Sequence, residues 1–380
     1  MLITKFAIPE VIFGNGSIKY LAPCARRLGA KRVLLVSDPG VEKAGWVEVV
    51  MDLLRKDALD CVYFNDVNSN PRDVQVCEGA ELYKEKGADV IVGIGGGSPI
   101  DAAKGISTLV GNGGSISEYE GANKIMRPLP PMIFIPSTAG SGSDVSQFCI
   151  ITDIKRQVKM SIISRSLVPN LSIIDPNLLV TKSRELIAAS AIDAMAHAVE
   201  SYVSRLASPF TEPQSLRAIQ LFMENIREAV DSRSPEALKN LSIASTAAGM
   251  AFSNAGLGIA HSLAHSIGGR FDVLHGLVHP VLLPTVMRFN LTAKPEKLAR
   301  VGLQITGKEY KTQEEQALKG IEYLERLFQE LGAARRLNDI LPDDSELELL
   351  CNKALPDACT LTNPRETNCQ DLMNICEAAW

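Results

Sequence analysis

The sequence predicts an α/β half, built on a doubly wound and mostly parallel sheet, followed by an all-α half. Three observations predict this. Short continuous apolar runs alternate with helix-like stretches over roughly the first 180 residues, strand-like runs then vanish, and helical spacing broken by Gly or Pro fills the rest. A chain of 380 residues also exceeds one ordinary domain of about 100–150 residues. The boundary is therefore placed between 180 and 181, giving units 1–180 and 181–380.

In chain order, Lys31-Arg32-Val33-Leu34-Leu35-Val36-Ser37-Asp38 reads as a buried strand that closes on polar residues. Residues 89–95 (DVIVGIG) and 131–136 (PMIFIP) read as two more, with weaker candidates at 149–151 and 171–174. Runs that are apolar throughout, rather than alternating, suit strands covered on both faces, as in a parallel sheet. Beyond Thr181, residues 186–204, 213–230, 235–252, 259–268, 314–331 and 370–379 have helical patterning.

With 46% hydrophobic and 22% charged residues the composition is that of an ordinary globule, and a net charge of −5 supplies no footprint for nucleic acid or an anionic membrane. No apolar run reaches the ~18–20 residues that a membrane span needs. The start, Met1-Leu2-Ile3-Thr4-Lys5-Phe6, lacks the charged head, apolar run and cleavage site of a signal peptide, so a cytoplasmic location is expected. None of the eight cysteines forms a Cys-x-x-Cys pair; in a chain this long they are expected to be free thiols.

Gly93-Ile94-Gly95-Gly96-Gly97-Ser98-Pro99-Ile100-Asp101 follows a strand and opens a helix. Its glycines permit a tight turn and close approach of a ligand, Pro99 suits the first helical position, and the free N–H groups of that turn suit a diphosphate. The pattern is neither Gly-x-Gly-x-x-Gly nor a P-loop, so phosphate binding and a merely tight βα turn both remain open. A second polar turn, Ser137-Thr138-Ala139-Gly140-Ser141-Gly142-Ser143, brings further hydroxyls to the same sheet edge. Asp38 ends an earlier strand, where its carboxylate would accept hydrogen bonds from a ribose and repel a 2′-phosphate. That favours NAD over NADP, unless Asp38 only caps a helix.

All five histidines lie between 197 and 279. Asp193 and His197 are four apart, so they share a helix face, and His261 and His265 repeat the spacing. His275 comes after Gly268-Gly269, which lets the chain turn back. Asp193, His197, His261 and His275 thus offer one carboxylate and three imidazoles, a set suited to Fe²⁺ or Zn²⁺ with a coordination position left for substrate. His279 is either a further site residue or a surface histidine.

These pieces together resemble the iron-containing (group III) alcohol dehydrogenase family over nearly the whole chain. The motifs are Phe13-Gly14-Asn15-Gly16-Ser17, Gly95-Gly96-Gly97-Ser98 with Asp101, Ile135-Pro136-Ser137-Thr138-Ala139-Gly140-Ser141-Gly142-Ser143, Asp193-Ala194-Met195-Ala196-His197-Ala198-Val199-Glu200, Ala248-Gly249-Met250-Ala251-Phe252, His261-Ser262-Leu263-Ala264-His265, His275-Gly276 and Asn363-Pro364-Arg365. The resemblance implies a dinucleotide-binding first half and a metal-binding, catalytic helical half, with metal ligation by Asp193, His197, His261 and His275. It places His265 beside the metal without ligating it. It assigns cofactor contacts to Asp38, Asn70, Gly97, Ser98, Ser137, Thr138, Ser141 and Lys159, and puts Phe252 near the nicotinamide. Three positions depart from the family's habit: Ala191 replaces a Gly, Ala196 a Thr, and His279, followed by Pro280, an Asn.

The activity implied is NAD(H)-linked interconversion of a small primary alcohol, diol or hydroxyaldehyde with its oxidation partner, with Fe²⁺ ahead of Zn²⁺. Lactaldehyde and 1,3-propanediol typify the leading substrate class. His265 is the expected proton relay, since a histidine titrates near neutral pH; a residue that only orients a ligand is the alternative. A homodimer or larger homo-oligomer is expected. One alternative is reduction of a small anionic aldehyde, for which Arg270 and His279 would add positive charge. Others are a lyase of the dehydroquinate synthase kind, which would need several basic residues, and a metal- and nucleotide-binding protein or helical filament without catalysis.

Overall fold

A computed structural model describes residues 5–273, 275–333 and 336–380. The chain packs as two compact units, Ala7–Lys182 and Ser183–Trp380, with Lys5 and Phe6 belonging to the second.

The first unit holds strands β1 (Glu10–Phe13), β2 (Arg32–Val36), β3 (Asp60–Phe64), β4 (Val90–Gly95), β5 (Gly121–Ala122), β6 (Met132–Pro136), β7 (Phe148–Asp153), β8 (Val158–Ile163) and β9 (Leu171–Ile174). Its helices are α1 (Leu21–Arg27), α2 (Pro39–Lys43), α3 (Trp46–Lys56), α4 (Asp73–Lys86) and α5 (Gly97–Asn112). Six strands form one parallel sheet in the order β1-β9-β6-β4-β2-β3. Two apolar clusters cover its faces, one around Phe134, Ile91 and Ile106, the other around Leu35, Val92 and Ile133. This explains why β2, β4 and β6 are apolar throughout: both faces are buried. The chain steps from β2 to β3 on one side, then crosses back to β4 on the other. The switch point therefore lies between β2 and β4, where α/β sheets bind ligands beyond the strand ends.

Residues 149–151 are a strand, but not of this sheet. They belong to β7, which pairs antiparallel with β8 in a small second sheet that β5 joins.

The second unit is helical: α6 (Arg184–Val203), α7 (Glu212–Asp231), α8 (Pro235–Ala255), α9 (Ile259–Phe271), α10 (His279–Asn290), α11 (Pro295–Thr306), α12 (Gln313–Glu330), α13 (Leu347–Ala354), α14 (Ala358–Thr362) and α15 (Cys369–Ala379). Gly268 and Gly269 do not break α9, which runs on to Phe271. The turn comes at Asp272, in the left-handed region at φ 54°, which Asp tolerates because its short side chain bonds locally. Among the described residues no helix is long and apolar enough to cross a membrane, and the eight cysteines are free thiols.

Candidate metal and nucleotide sites

Ser183 caps α6 by accepting a hydrogen bond from the Leu186 N–H. Helical spacing then puts Asp193, His197 and Glu200 on one buried face. Four imidazoles converge on a single oxygen of Asp193. The Nε2 atoms of His279, His261, His197 and His275 lie 3.3, 3.7, 3.9 and 3.9 Å from its Oδ1. Donors held ~2.1 Å from one ion lie about 3.0–4.2 Å apart, so these spacings fit a shared ion. The donor atoms of Asp193, His261, His275 and His279 are all within 4.8 Å of one another. His279, which the sequence left between a further site residue and a surface histidine, is therefore buried at the same oxygen as the four residues that the sequence suggested. The His197 ring, its Nε2 at the same oxygen, also stacks against Phe252 at 4.4 Å and His261 at 4.5 Å.

Asp193 Oδ1 and His261 Nε2 are buried without a hydrogen-bond partner. Orphaned atoms of this kind are costly unless something fills the space between them, and the donor set fits a divalent ion. Burial alone would raise the Asp193 carboxyl, but His197 first, then His261 and His279, hold it well below the usual carboxylate range. Desolvation lowers His197 to about 3 and takes His275 well below the ordinary imidazole value, with His279 also lowered. Those three rings are therefore neutral and able to ligate.

His261 is treated differently, because Glu200 Oε2 lies 2.5 Å from its Nδ1. Glu200 is 2% exposed, and its other oxygen accepts the Ala260 N–H at 2.8 Å, in the first turn of α9. Burial would lower His261, but the Glu200 charge raises it to about 9. This carboxylate holds the proton on Nδ1, so that Nε2, which faces Asp193, is the nitrogen that gives up its proton to a metal. Sequence reasoning did not single out Glu200. Its signal was a Glu on the same face as Asp193 and His197, deep in an otherwise apolar helix. His275 sits in a 3-10 turn, His275–Leu277. A side chain at Gly276 would come within 2.6 Å of the Ala189 carbonyl of α6, so glycine is what lets this turn approach the helix.

In the first unit, β4 and β6 pair with Gly95 opposite Pro136, which sets the two polar turns side by side. Gly96 faces Thr138, and Gly97 faces Ser141. Gly95 has φ +151°, and a side chain there would come within 2.6 Å of Pro99 Cγ, so this turn requires glycine. No side chain caps α5, which begins at Gly97 and leaves the N–H groups of its first turn available to an anion. Pro99 is the third helical residue rather than the first, still within the turn where its missing N–H is harmless. The Ser137 hydroxyl is buried and unpartnered beside them.

Asp38 caps α2, one oxygen accepting from the Val41 N–H at 3.0 Å. Its other oxygen faces Gly95 across the switch point. Ser98 donates to the Ser69 carbonyl, which brings buried Asn70 to the same edge. Asp101 instead accepts from Ser143, tying α5 to the second turn, and desolvation raises it to about 6. Lys159 lies on β8 and adds positive potential at Asp101.

The sequence pattern described as iron-containing alcohol dehydrogenase matches residues 9–176, and that of the C-terminal part of the Fe-containing alcohol dehydrogenase family matches 187–380. The chain belongs to the iron-containing alcohol dehydrogenase family. It is 37% identical over 383 residues to the 1,3-propanediol dehydrogenase of Klebsiella pneumoniae, covering 99% of this chain and 98% of that one. It is 35% identical over 383 residues to the NAD-dependent methanol dehydrogenase of Bacillus methanolicus, covering 99% and 100%. A solved 1,3-propanediol oxidoreductase superposes with a TM-score of 0.96 at 35% identity over all of both chains.

Two further features of this iron-type dehydrogenase bear on its chemistry. His265 stacks on His275 with ring centroids 5.2 Å apart, and its Nδ1 lies 2.9 Å from Asp357 Oδ2. Burial would raise Asp357, but His265 holds it low, so the carboxylate is ionised and His265 Nδ1 donates to it. Asp357, 92 residues away in sequence, carried no signal beyond a turn residue. Arg270 makes two bonds to Glu346, Nε–Oε2 at 2.5 Å and Nη2–Oε1 at 2.7 Å.

Proposed function

We propose that this protein is an NAD(H)-linked, Fe²⁺-dependent dehydrogenase of small neutral alcohols, diols or hydroxyaldehydes. It would move a hydride between the carbinol carbon and the nicotinamide, and a proton to or from solvent. The observation that carries this reading is the convergence of four imidazole nitrogens on one unpartnered oxygen of Asp193. The ion supplies Lewis-acid polarisation of the substrate oxygen, and the dinucleotide supplies the hydride acceptor.

The chain's own residues do the rest. Asp193, His197, His261 and His275 hold the ion, with Glu200 fixing the His261 tautomer. The uncapped start of α5 and the hydroxyls of Ser98, Ser137, Thr138 and Ser141 take the diphosphate and ribose, with Asn70 and Lys159 at the same edge. The Asp38 oxygen that faces Gly95 favours a free 2′-hydroxyl. His265, its Nδ1 proton held by Asp357, presents Nε2 as the atom that takes or returns the proton. Phe252 braces the His197 ring from behind.

A neutral substrate is favoured because both supports for an anionic one are otherwise engaged. Arg270 is bound to Glu346, and His279 is a neutral member of the imidazole cluster. The lyase reading loses Arg270 for the same reason. The test is NADH oxidation by the Fe²⁺-loaded protein across short aldehydes and hydroxyaldehydes, with His261→Ala alongside. Turnover by the parent, with metal and activity both lost in His261→Ala, is the expected result. A flat trace across the panel at full metal occupancy overturns the reading.

A further inference from the structure

His279 is the one imidazole of the cluster that the four-ligand set above leaves without a task. It is the first residue of α10, and Pro280 behind it sits in the first turn, where no N–H is needed. The ring is fully buried. Its Nε2 approaches Asp193 Oδ1 more closely than any other imidazole, at 3.3 Å, and lies 3.1 Å from His275 Nε2. Its centroid is 4.2 Å from that of His261. An imidazole placed to orient a ligand from behind would approach that ligand's far nitrogen, as Glu200 approaches His261 Nδ1. His279 approaches the metal-facing nitrogen of His275 and the metal-facing oxygen of Asp193 instead.

We infer that His279 is a fifth protein donor to the metal, through Nε2. The inference rests on the ligand reading proposed above and extends it. If His275 ligates through Nε2, that nitrogen's lone pair is occupied and accepts nothing from His279. Two nitrogens ~3 Å apart are then spaced as adjacent ligands of one ion. Five protein donors overfill a tetrahedral ion but leave one position of a six-coordinate ion for substrate. The site therefore selects Fe²⁺ over Zn²⁺ by coordination number, where a four-donor site would accept either.

The experiment loads the full chain anaerobically with Fe²⁺ and counts imidazole ligands by X-ray absorption, in the parent, His279→Asn, His279→Gln and His261→Ala. Metal content and the rate of iron loss to a chelator are read on the same samples. The expected result is four imidazoles in the parent and three in both His279 variants, with iron lost at least tenfold faster. An unchanged imidazole count in a folded His279 variant overturns the inference. Full iron retention in His261→Ala overturns instead the ligand reading on which it rests. Circular dichroism of the iron-free variants shows whether each is folded, and the two substitutions at 279 guard against failure of one.

Discussion

Replacing Glu200 by Gln tests how the metal site is aimed. The carboxylate makes two buried bonds, to His261 Nδ1 at 2.5 Å and from the Ala260 N–H at 2.8 Å. Gln has the same shape but only one acceptor oxygen. If that oxygen takes the Ala260 N–H, the amide nitrogen faces His261 Nδ1 and donates to it. The ring's proton then moves to Nε2, the nitrogen that must face the metal. If the amide flips, two donors meet at Ala260. Loss of such an outer carboxylate costs about 10–100-fold in metal affinity, or roughly 1.4–2.7 kcal/mol.

The iron-free protein also loses a charge-assisted bond worth about 1.5–3 kcal/mol. That loss depends on pH. His261 is raised to about 9 from an ordinary value of 6.5, so its contribution is full below pH 6.5 and disappears as pH rises through 9. Competition with a chelator gives the affinity, and melting of the iron-free Glu200→Gln protein at pH 6 and pH 9.5 gives the second quantity. Metal affinity within twofold of the parent, with a melting deficit equal at both pH values, would refute the assigned role.

Asp38→Gly is expected to shift the NADPH to NADH ratio of kcat/KM by on the order of tenfold towards NADPH, about 1.4 kcal/mol of relieved repulsion. It should cost only a few tenths of a kcal/mol in stability, because Gly is tolerated at a helix N-cap; an unchanged ratio leaves Asp38 as a cap alone. His265→Ala is expected to keep its metal, lose about 10²–10⁴-fold in turnover and alter the pH–rate profile. Asp357→Asn should change the same profile in the same direction; near-normal turnover in His265→Ala with an unaltered profile removes that residue from the chemistry. The chelated parent should lose stability steeply below pH 6.5. His197, held at about 3, together with His275 and His279, gains protons on unfolding, each adding up to about 1.4 kcal/mol per pH unit. Above pH 6.5 the fall should be shallower, since His261 alone runs the other way; a melting midpoint that is flat between pH 5 and 7 would contradict the buried neutral cluster.

The parallel sheet was legible where both faces of a strand are buried, as in β2, β4 and β6, because those runs are apolar throughout. It was not legible at its edges. β1 and β3 are half exposed and carry polar residues, Glu10 and Asp60 among them. Helix α10 was hidden by Pro280 and Pro284, the second inside the helix, where packing overrides a residue that normally ends one. The i, i+4 pairs announced Asp193, His197, His261 and His265, since that spacing has one reading on a helix. Glu200 shares their face, yet a lone Glu reads as solvated until its burial is known. Asp357 and His279 owe their places to long-range packing, which no local pattern reports.

The helical unit is built around groups that a purely structural core would not select. Asp193, Glu200 and His261, together with the His197 and His279 rings, are 7% exposed or less, and several of their polar atoms have no protein partner. Each unpartnered buried atom costs about 1–3 kcal/mol, which is a large share of the ~5–15 kcal/mol by which a domain is stable. Glu200 removes part of that strain by its bond to His261 Nδ1, and the remaining donors lie 3.3–3.9 Å from one oxygen of Asp193, spacings that fit a single ion. Metal loading and folding of this unit are therefore linked through the same atoms. The departures from family habit follow the same logic. Ala191 and Ala196 on α6 are buried and bring no polar atom, whereas His279 on α10 brings an imidazole. The helix that carries Asp193 thus loses one hydroxyl, at Ala196, while the helix that faces it exchanges an amide for an imidazole. There it bears on the number of positions left open for substrate rather than on the sign of the substrate's charge.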